Sequence, residues 1–256
     1  MKQMRLKDRV VIITGGSRGI GRGIASAFAR EEAKVAIVGR NKSSCDEAVA
    51  EIGKAGGVAI SIQADVSSEA DVARMAKQTI DKFQRIDILV NNAAVILPPY
   101  TMVKDMTLDD WNWVVGINLT GTFLCSRAVL PQMIAQRSGK IINMSSMGGR
   151  HGAIGRTPYR PTKAAVINFT ECLAAEVKQY GIDVNCICPE MVLTDMLKFV
   201  WGDQMPKTLT PIEDVANLAV FLASDESKAV TGTAIDACGP SNALFGLPTA
   251  SPPPKK

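Results

Sequence analysis

Arg9-Val-Val-Ile-Ile-Thr14-Gly15-Gly16-Ser17-Arg18-Gly19-Ile20-Gly21 is the stretch that decides the fold. Four consecutive β-branched residues favour a strand buried on both faces. The glycines that follow favour a tight turn, and apolar residues at three- and four-residue steps begin at Gly19, so the turn joins a strand to a helix. The first turn of such a helix presents unpaired N–H groups and partial positive charge, a setting that binds a pyrophosphate. Gly15 permits the sharp turn, while Gly19 and Gly21 let backbone and helix approach the phosphates.

Outward from this unit the same alternation continues. Strands are expected at 9–14, 34–38, 58–63, 86–91, 139–144, 183–188 and 234–236, and helices at 19–30, 43–55, 68–83, 108–136, 158–180 and 211–223. Strand-helix alternation with near-continuous apolar strands implies a parallel sheet covered on both faces by right-handed crossovers, a doubly wound α/β fold. Residues 1–246 are expected to form a single nucleotide-binding domain, and the proline-rich stretch 247–256 a disordered tail. Ligands in open α/β sheets bind beyond the C-terminal strand ends, so Gly15, Gly39, Asp65, Asn91, Ser146 and Pro189 should border one cleft.

Composition narrows the function further. The chain has 256 residues, 46% of them hydrophobic, and a net charge of +4 from scattered Lys and Arg. No basic stripe interleaved with aromatics is present, which argues against nucleic acid. The basic start, 1–7, precedes an apolar run too short for a signal peptide or a membrane span, so a cytoplasmic protein without a membrane partner is expected. Cysteines 45, 125, 172, 186, 188 and 238 form no CxxC pair and have no nearby His set, so neither a disulfide framework nor a metal is expected. Cys186 and Cys188 share one face of a strand and read as small buried hydrophobes.

The chemistry concentrates after the fifth strand. Tyr159 and Lys163, at i and i+4, share a helix face, and a nearby ammonium favours the phenolate form of a group whose ordinary pKa is about 10. Ser146, thirteen residues before Tyr159, can hydrogen-bond a substrate oxygen while Tyr159 exchanges its proton. Ser145 competes with it for that role. Asn118 can hold a water against Lys163, or else kink the long helix by bonding to its backbone.

On the cofactor side, the second strand ends Val38-Gly39-Arg40, without the acid that NAD-preferring sites place there. Arg40 and Arg18 could fork onto a 2′-phosphate, which favours NADP(H), with NAD(H) as the alternative. Asp65 and Val66 are positioned to meet adenine, although Asp65 reads equally as a cap of the next helix. Asn91-Asn92-Ala93-Ala94 can tie neighbouring loops and admit the cofactor closely.

These motifs, Thr14-Gly15-x-x-x-Gly19-x-Gly21, Asn91-Asn92-Ala93, Asn118, Ser146, Tyr159-x-x-x-Lys163 and Pro189 with Thr194, resemble the short-chain dehydrogenase/reductase family in order and spacing, from Leu6 to about Leu244. The resemblance implies a Rossmann-type seven-stranded sheet in the order 3-2-1-4-5-6-7 and a homodimer or homotetramer. It implies a catalytic tetrad of Asn118, Ser146, Tyr159 and Lys163. It also implies cofactor contacts from Gly15, Ser17, Arg18, Gly19, Ile20, Gly21, Arg40, Asp65, Val66, Asn92, Ala93, Tyr159, Lys163, Pro189, Val192 and Thr194. The activity it implies is interconversion of a ketone and a secondary alcohol, with 3-oxoacyl thioesters as the default substrate class. An NAD-dependent polyol or sugar-acid dehydrogenase is the first alternative, and a non-catalytic NADP sensor the second.

Four departures from the family pattern fall around the cleft. Ala94 replaces a glycine, Glu190 follows Pro189 where glycine is usual, Arg160-Pro161 replaces small residues, and the segment between Met196 and Pro211 is shorter than the usual helical lid. Arg150, His151, Arg156 and Arg160 all fall between the serine and the lysine, which points to an anionic substrate or, alternatively, to solvated or interface cations.

Overall fold

The computed structural model describes residues 4–202 and 209–239. Seven parallel strands, β1 (Val10–Thr14), β2 (Lys34–Gly39), β3 (Val58–Gln63), β4 (Ile88–Asn91), β5 (Gly139–Met144), β6 (Ile182–Pro189) and β7 (Ala234–Ala237), form one sheet in the order β3-β2-β1-β4-β5-β6-β7. Every residue of β1 is buried, as its unbroken β-branched run requires. β1 lies between β2 and β4, with Ile12 opposite Ala36 and Leu89.

The helices are α1 (Gly19–Arg30), α2 (Lys42–Lys54), α3 (Glu69–Phe83), α4 (Leu108–Val115), α5 (Gly121–Gln136), α6 (Tyr159–Val177), α7 (Asp195–Trp201) and α8 (Ile212–Ala223). Successive side chains of β1 point to opposite faces. Val11 and Ile13 pack with Ile24 and Phe28 of α1 and Val215 and Val220 of α8. Ile12 packs on the other face with Met75 of α3, Met133 of α5 and Leu173 of α6. Local signals set the helix starts: Asn41 accepts from the Ser44 N–H, Ser68 from the Asp71 N–H, and Thr107 forms a capping box with Asp110.

Three elements differ from expectation. The helix expected over 108–136 is interrupted by a π-helical turn, Gly116–Thr120, that carries Asn118. That stretch is apolar and long enough to cross a membrane, but half of its most apolar window is buried within the fold. α7 was not anticipated: Thr194 caps it by accepting from the Leu197 N–H at 3.2 Å, so part of the shortened segment is helical. The third is Ala94, which does not adopt positive φ, so replacing the family's glycine there strains nothing. The 247–256 tail lies outside the described residues.

Candidate active site

The cleft opens at the C-terminal ends of β1, β4, β5 and β6. Gly15 turns at φ +62°, and a methyl group on it would sit 3.0 Å from the Ala93 Cα, so the turn and the loop after β4 are in direct contact. Thr14 and Asn92 fasten that contact. The Thr14 hydroxyl accepts from the Asn92 and Ala93 N–H groups at 3.0 and 3.1 Å, and the Asn92 amide donates to the Thr14 and Gly15 carbonyls at 3.0 Å each. Gly19, at φ +53°, would place a methyl 3.3 Å from the Thr194 Cγ2, so the glycine turn and the start of α7 are in direct contact.

A nicotinamide dinucleotide fits this cradle. The first turn of α1 has no side-chain cap, which leaves its N–H groups as donors for a pyrophosphate. Ser17 hydrogen-bonds Cys45 and borders Gly39, so the turn residues 17–18 and the β2 end 39–40 are neighbours. Arg18 and Arg40 are exposed there, and neither makes a side-chain hydrogen bond or ion pair among the described residues. Most other arginines are engaged: Arg5 with Glu31, Arg22 with Glu51, Arg74 with Asp71, Arg85 with Asp87 and Arg127 with Glu69. Asp65 accepts from the Ser67 N–H and hydroxyl at 2.9 and 2.7 Å; the cap of α3 is Ser68, so the capping alternative for Asp65 does not hold. Arg40, Gln63, Asp65 and Arg74 line a cavity of about 410 Å³ at this end. Val66 is buried against Gly121.

Four side chains converge at β5 and α6. Tyr159 opens α6 beside Ser146, which lies just past β5 and accepts from the Gly148 N–H at 3.0 Å. Ser145 is not available for that role, because its hydroxyl donates to the Lys163 carbonyl at 2.7 Å. Lys163 is buried; its Nζ donates to the Met144 carbonyl at 2.7 Å and lies 5.7 Å from the centre of the Tyr159 ring. Burial pushes the Lys163 ammonium down to about 8. Burial also pushes the Tyr159 phenol up, with smaller opposing pulls from the Ser146 hydrogen bond and from Arg160. The protein alone therefore favours the neutral phenol, because desolvation outweighs the pulls from Ser146 and Arg160.

Asn118 is held by protein partners on both sides. Its amide accepts from the Val95 N–H at 2.8 Å, and donates to the Val95 carbonyl at 3.0 Å and to the Thr162 hydroxyl at 3.2 Å. The side chain locks the loop after β4 onto α6 and does not reach Lys163. Beneath it runs a buried ladder that sequence reading missed: Asn91 donates to Asn143 and Ser126, and Asn143 donates to Thr170. The available signal was Asn143 itself, a polar residue inside an otherwise apolar strand.

The four residues assigned to an anionic substrate separate. Arg150 is turned to β7, with Nε and Nη2 donating to Asp236 at 3.1 and 2.9 Å. Arg160 donates to the His151 and Gly152 carbonyls at 2.7 and 2.9 Å, while His151 is exposed. Arg156 is half-buried, and its Nη1 has no hydrogen-bond partner among the described residues. Pro189 and Val192 are buried at the end of β6 and just beyond it. The Glu190 carboxylate lies towards Cys238, where it helps burial push that thiol up.

A parallel Rossmann-like sheet with a glycine turn at β1 and a Ser-Tyr-Lys cluster at β5 and α6 defines an oxidoreductase acting on CH–OH and carbonyl groups. The chain belongs to the short-chain dehydrogenase family, whose sequence profile, described as short chain dehydrogenase, matches residues 9–204. It is 39% identical over 242 residues to a 3-oxoacyl-(acyl-carrier-protein) reductase of Synechocystis sp., covering 91% of this chain and 97% of that one. It is 37% identical over 244 residues to the (2S)-((R)-hydroxy(phenyl)methyl)succinyl-CoA dehydrogenase subunit BbsD of Thauera aromatica, covering 92% and 97%. Among solved structures, a 3-oxoacyl-(acyl-carrier protein) reductase from Brucella melitensis with bound NAD superposes with a TM-score of 0.84 at 36% identity, covering 93% of each chain. The family uses nicotinamide dinucleotides.

Proposed function

We propose that the protein is an NADP(H)-dependent reductase of a ketone carried on an acyl or related chain. The observation that carries this reading is the placement of Tyr159 at the start of α6 beside Ser146 and beside buried Lys163, whose Nζ lies 5.7 Å from the ring centre. Bound in the cradle, the nicotinamide supplies or accepts the hydride. Tyr159, held neutral by burial, is suited to give its proton to the carbonyl oxygen, and Ser146 donates to the same oxygen and orients it. Lys163, still mostly ammonium at pH 7, would hold a cofactor ribose and would give a proton back to the Tyr159 phenolate after transfer, taking its own replacement from solvent. Asn118 fixes the loop that closes the site, in place of a side-chain step in the relay.

Arg18 and Arg40, whose side chains make no hydrogen bond or ion pair among the described residues, support the choice of the 2′-phosphorylated cofactor. The exposed apolar side chains Tyr100, Val103, Ile154, Leu193 and Phe199, carried on segments that follow the strand ends, support a substrate with a bulky apolar part. The reductase of Synechocystis and the succinyl-CoA dehydrogenase of Thauera both act on thioester-linked chains by name, which places thioesters first in a substrate screen. Trp111, Trp113 and Phe123 are exposed on α4 and α5, which supports a homo-oligomer built on that face. Six free thiols are in keeping with the cytoplasm.

Calorimetric titration of NADPH and NADH against the wild type and Arg40→Ala tests the reading. NADPH should bind at least about tenfold more tightly, and Arg40→Ala should erase the preference. Equal or tighter NADH binding would sink the NADP assignment and move the screen to oxidation of polyols and hydroxy acids. Tight cofactor binding with no NADPH oxidation on any thioester or ketone would mean a sensor rather than an enzyme.

A further inference from the structure

We infer that Arg156 is a specificity residue that recognises a carboxylate carried near the reacting carbonyl of the substrate. The inference rests on the ketone-reductase reading and adds a charge requirement to it. Of the cations between Ser146 and Lys163, Arg150 is neutralised by Asp236 and tied to the Ala234 carbonyl at 2.9 Å, so it faces β7. Arg160 is held by two carbonyls of its own segment. Among the described residues, Arg156 alone of these keeps a buried guanidinium nitrogen with no hydrogen-bond partner. A buried donor without an acceptor is unfavourable, and a ligand that supplies the acceptor recovers that cost as binding.

Placement agrees with this role. Arg156 lies three residues before Tyr159, and its carbonyl accepts from the Arg160 N–H at 3.0 Å. The preceding Gly155, at φ +64°, is pressed on the Tyr100 backbone, which closes the segment against the loop after β4. The Arg160 side chain passes over Gly148, beside Ser146. The charged neighbour that bears on Arg156 is Arg160, whose pKa burial and Arg156 both push down. Two guanidinium groups held together repel, and an anion between them removes the repulsion and satisfies the free N–H. A planar fork of donors suits a carboxylate better than a lone carbonyl oxygen.

The test compares a 3-oxo acid with its methyl ester, both assayed by NADPH oxidation with wild type, Arg156→Gln and Arg156→Lys. The wild type should favour the acid in kcat/KM by about 10- to 100-fold, and Arg156→Gln should collapse that ratio towards one, mainly through KM. Arg156→Lys should restore part of it. Because the readout is a ratio within each variant, partial misfolding cannot imitate the result. Equal use of acid and ester by the wild type, or a ratio unchanged in Arg156→Gln, overturns the carboxylate assignment and leaves the reductase reading standing. Failure of the wild type to reduce either compound or any thioester-linked ketone overturns the reductase reading and this inference with it.

Discussion

The two halves of the cleft are built from different materials. The cofactor half is made of backbone: glycines at 15 and 19, N–H groups at the start of α1, N–H groups of the loop after β4 that donate to the Thr14 hydroxyl, and carbonyls of 14 and 15 that accept from Asn92, all at 3.0–3.1 Å. The substrate half is made of side-chain ends on loops, where an arginine either meets a carboxylate, as Arg150 does, or is left with a buried nitrogen, as Arg156 is. Backbone cradles depend on where glycines fall and on the register of one strand against its neighbour. Side-chain pockets depend on which long residue reaches which partner, and Asp236 lies 86 residues from Arg150 in the chain.

The sharpest test of that division is Tyr159→Phe. Removing the phenol hydroxyl should lower kcat by about a thousandfold, and cofactor affinity should stay within about threefold of wild type. If calorimetry showed both falling together, the halves would not be separable.

Lys163→Met reaches across the division from below. In the folded protein the ammonium is pushed down to about 8, whereas an unfolded chain keeps it charged to about 10.5. Below pH 8 the wild type therefore carries a charge-burial cost, which is relieved as pH rises from 8 to 10.5 because the unfolded chain then binds more protons. Lys163→Met should abolish turnover and stabilise the cofactor-free protein at pH 7 by about 2 kcal/mol, with the gain shrinking above pH 8. A variant that melts below wild type at pH 7, or a gain that does not change with pH, refutes this. Smallest is Ser145→Ala, which removes a buried bond to the Lys163 carbonyl. About 1 kcal/mol of stability should be lost with kcat within about threefold, and a larger kinetic effect would reopen the choice between the two serines.

Legibility in the sequence followed the same division. β1, α1, β3 and β5 were readable to within a residue, because each depends on local periodicity and on glycine or cap residues at its ends. That Tyr159 and Lys163 share one face of α6 was readable from their spacing alone. Ser145 and Ser146 could not be told apart, since which hydroxyl faces α6 is set by the alternation at the last residue of β5. Asn118 was placed correctly as a residue of interest, but its partners Val95 and Thr162 stand 23 and 44 residues away, and no local pattern encodes that reach. α7 is seven residues long, too short for periodicity to reveal.

The π-helical turn at Gly116–Thr120 has a consequence for how this chain tolerates change. A regular helix advances about 100° per residue, so one extra residue inside it would swing every later side chain round by that angle. A π turn absorbs such an insertion locally. Upstream of it α4 shows Trp111 and Trp113 to the outside, and downstream α5 buries Cys125, Val129 and Met133. Deleting one residue from 116–120 would rejoin the two stretches as a single straight rod. The rod would be phased either for the outer face of α4 or for the core contacts of α5, never for both. The turn therefore works as a phase joint, and a shift of Met133 away from Gly139 at the start of β5 after such a deletion would show it.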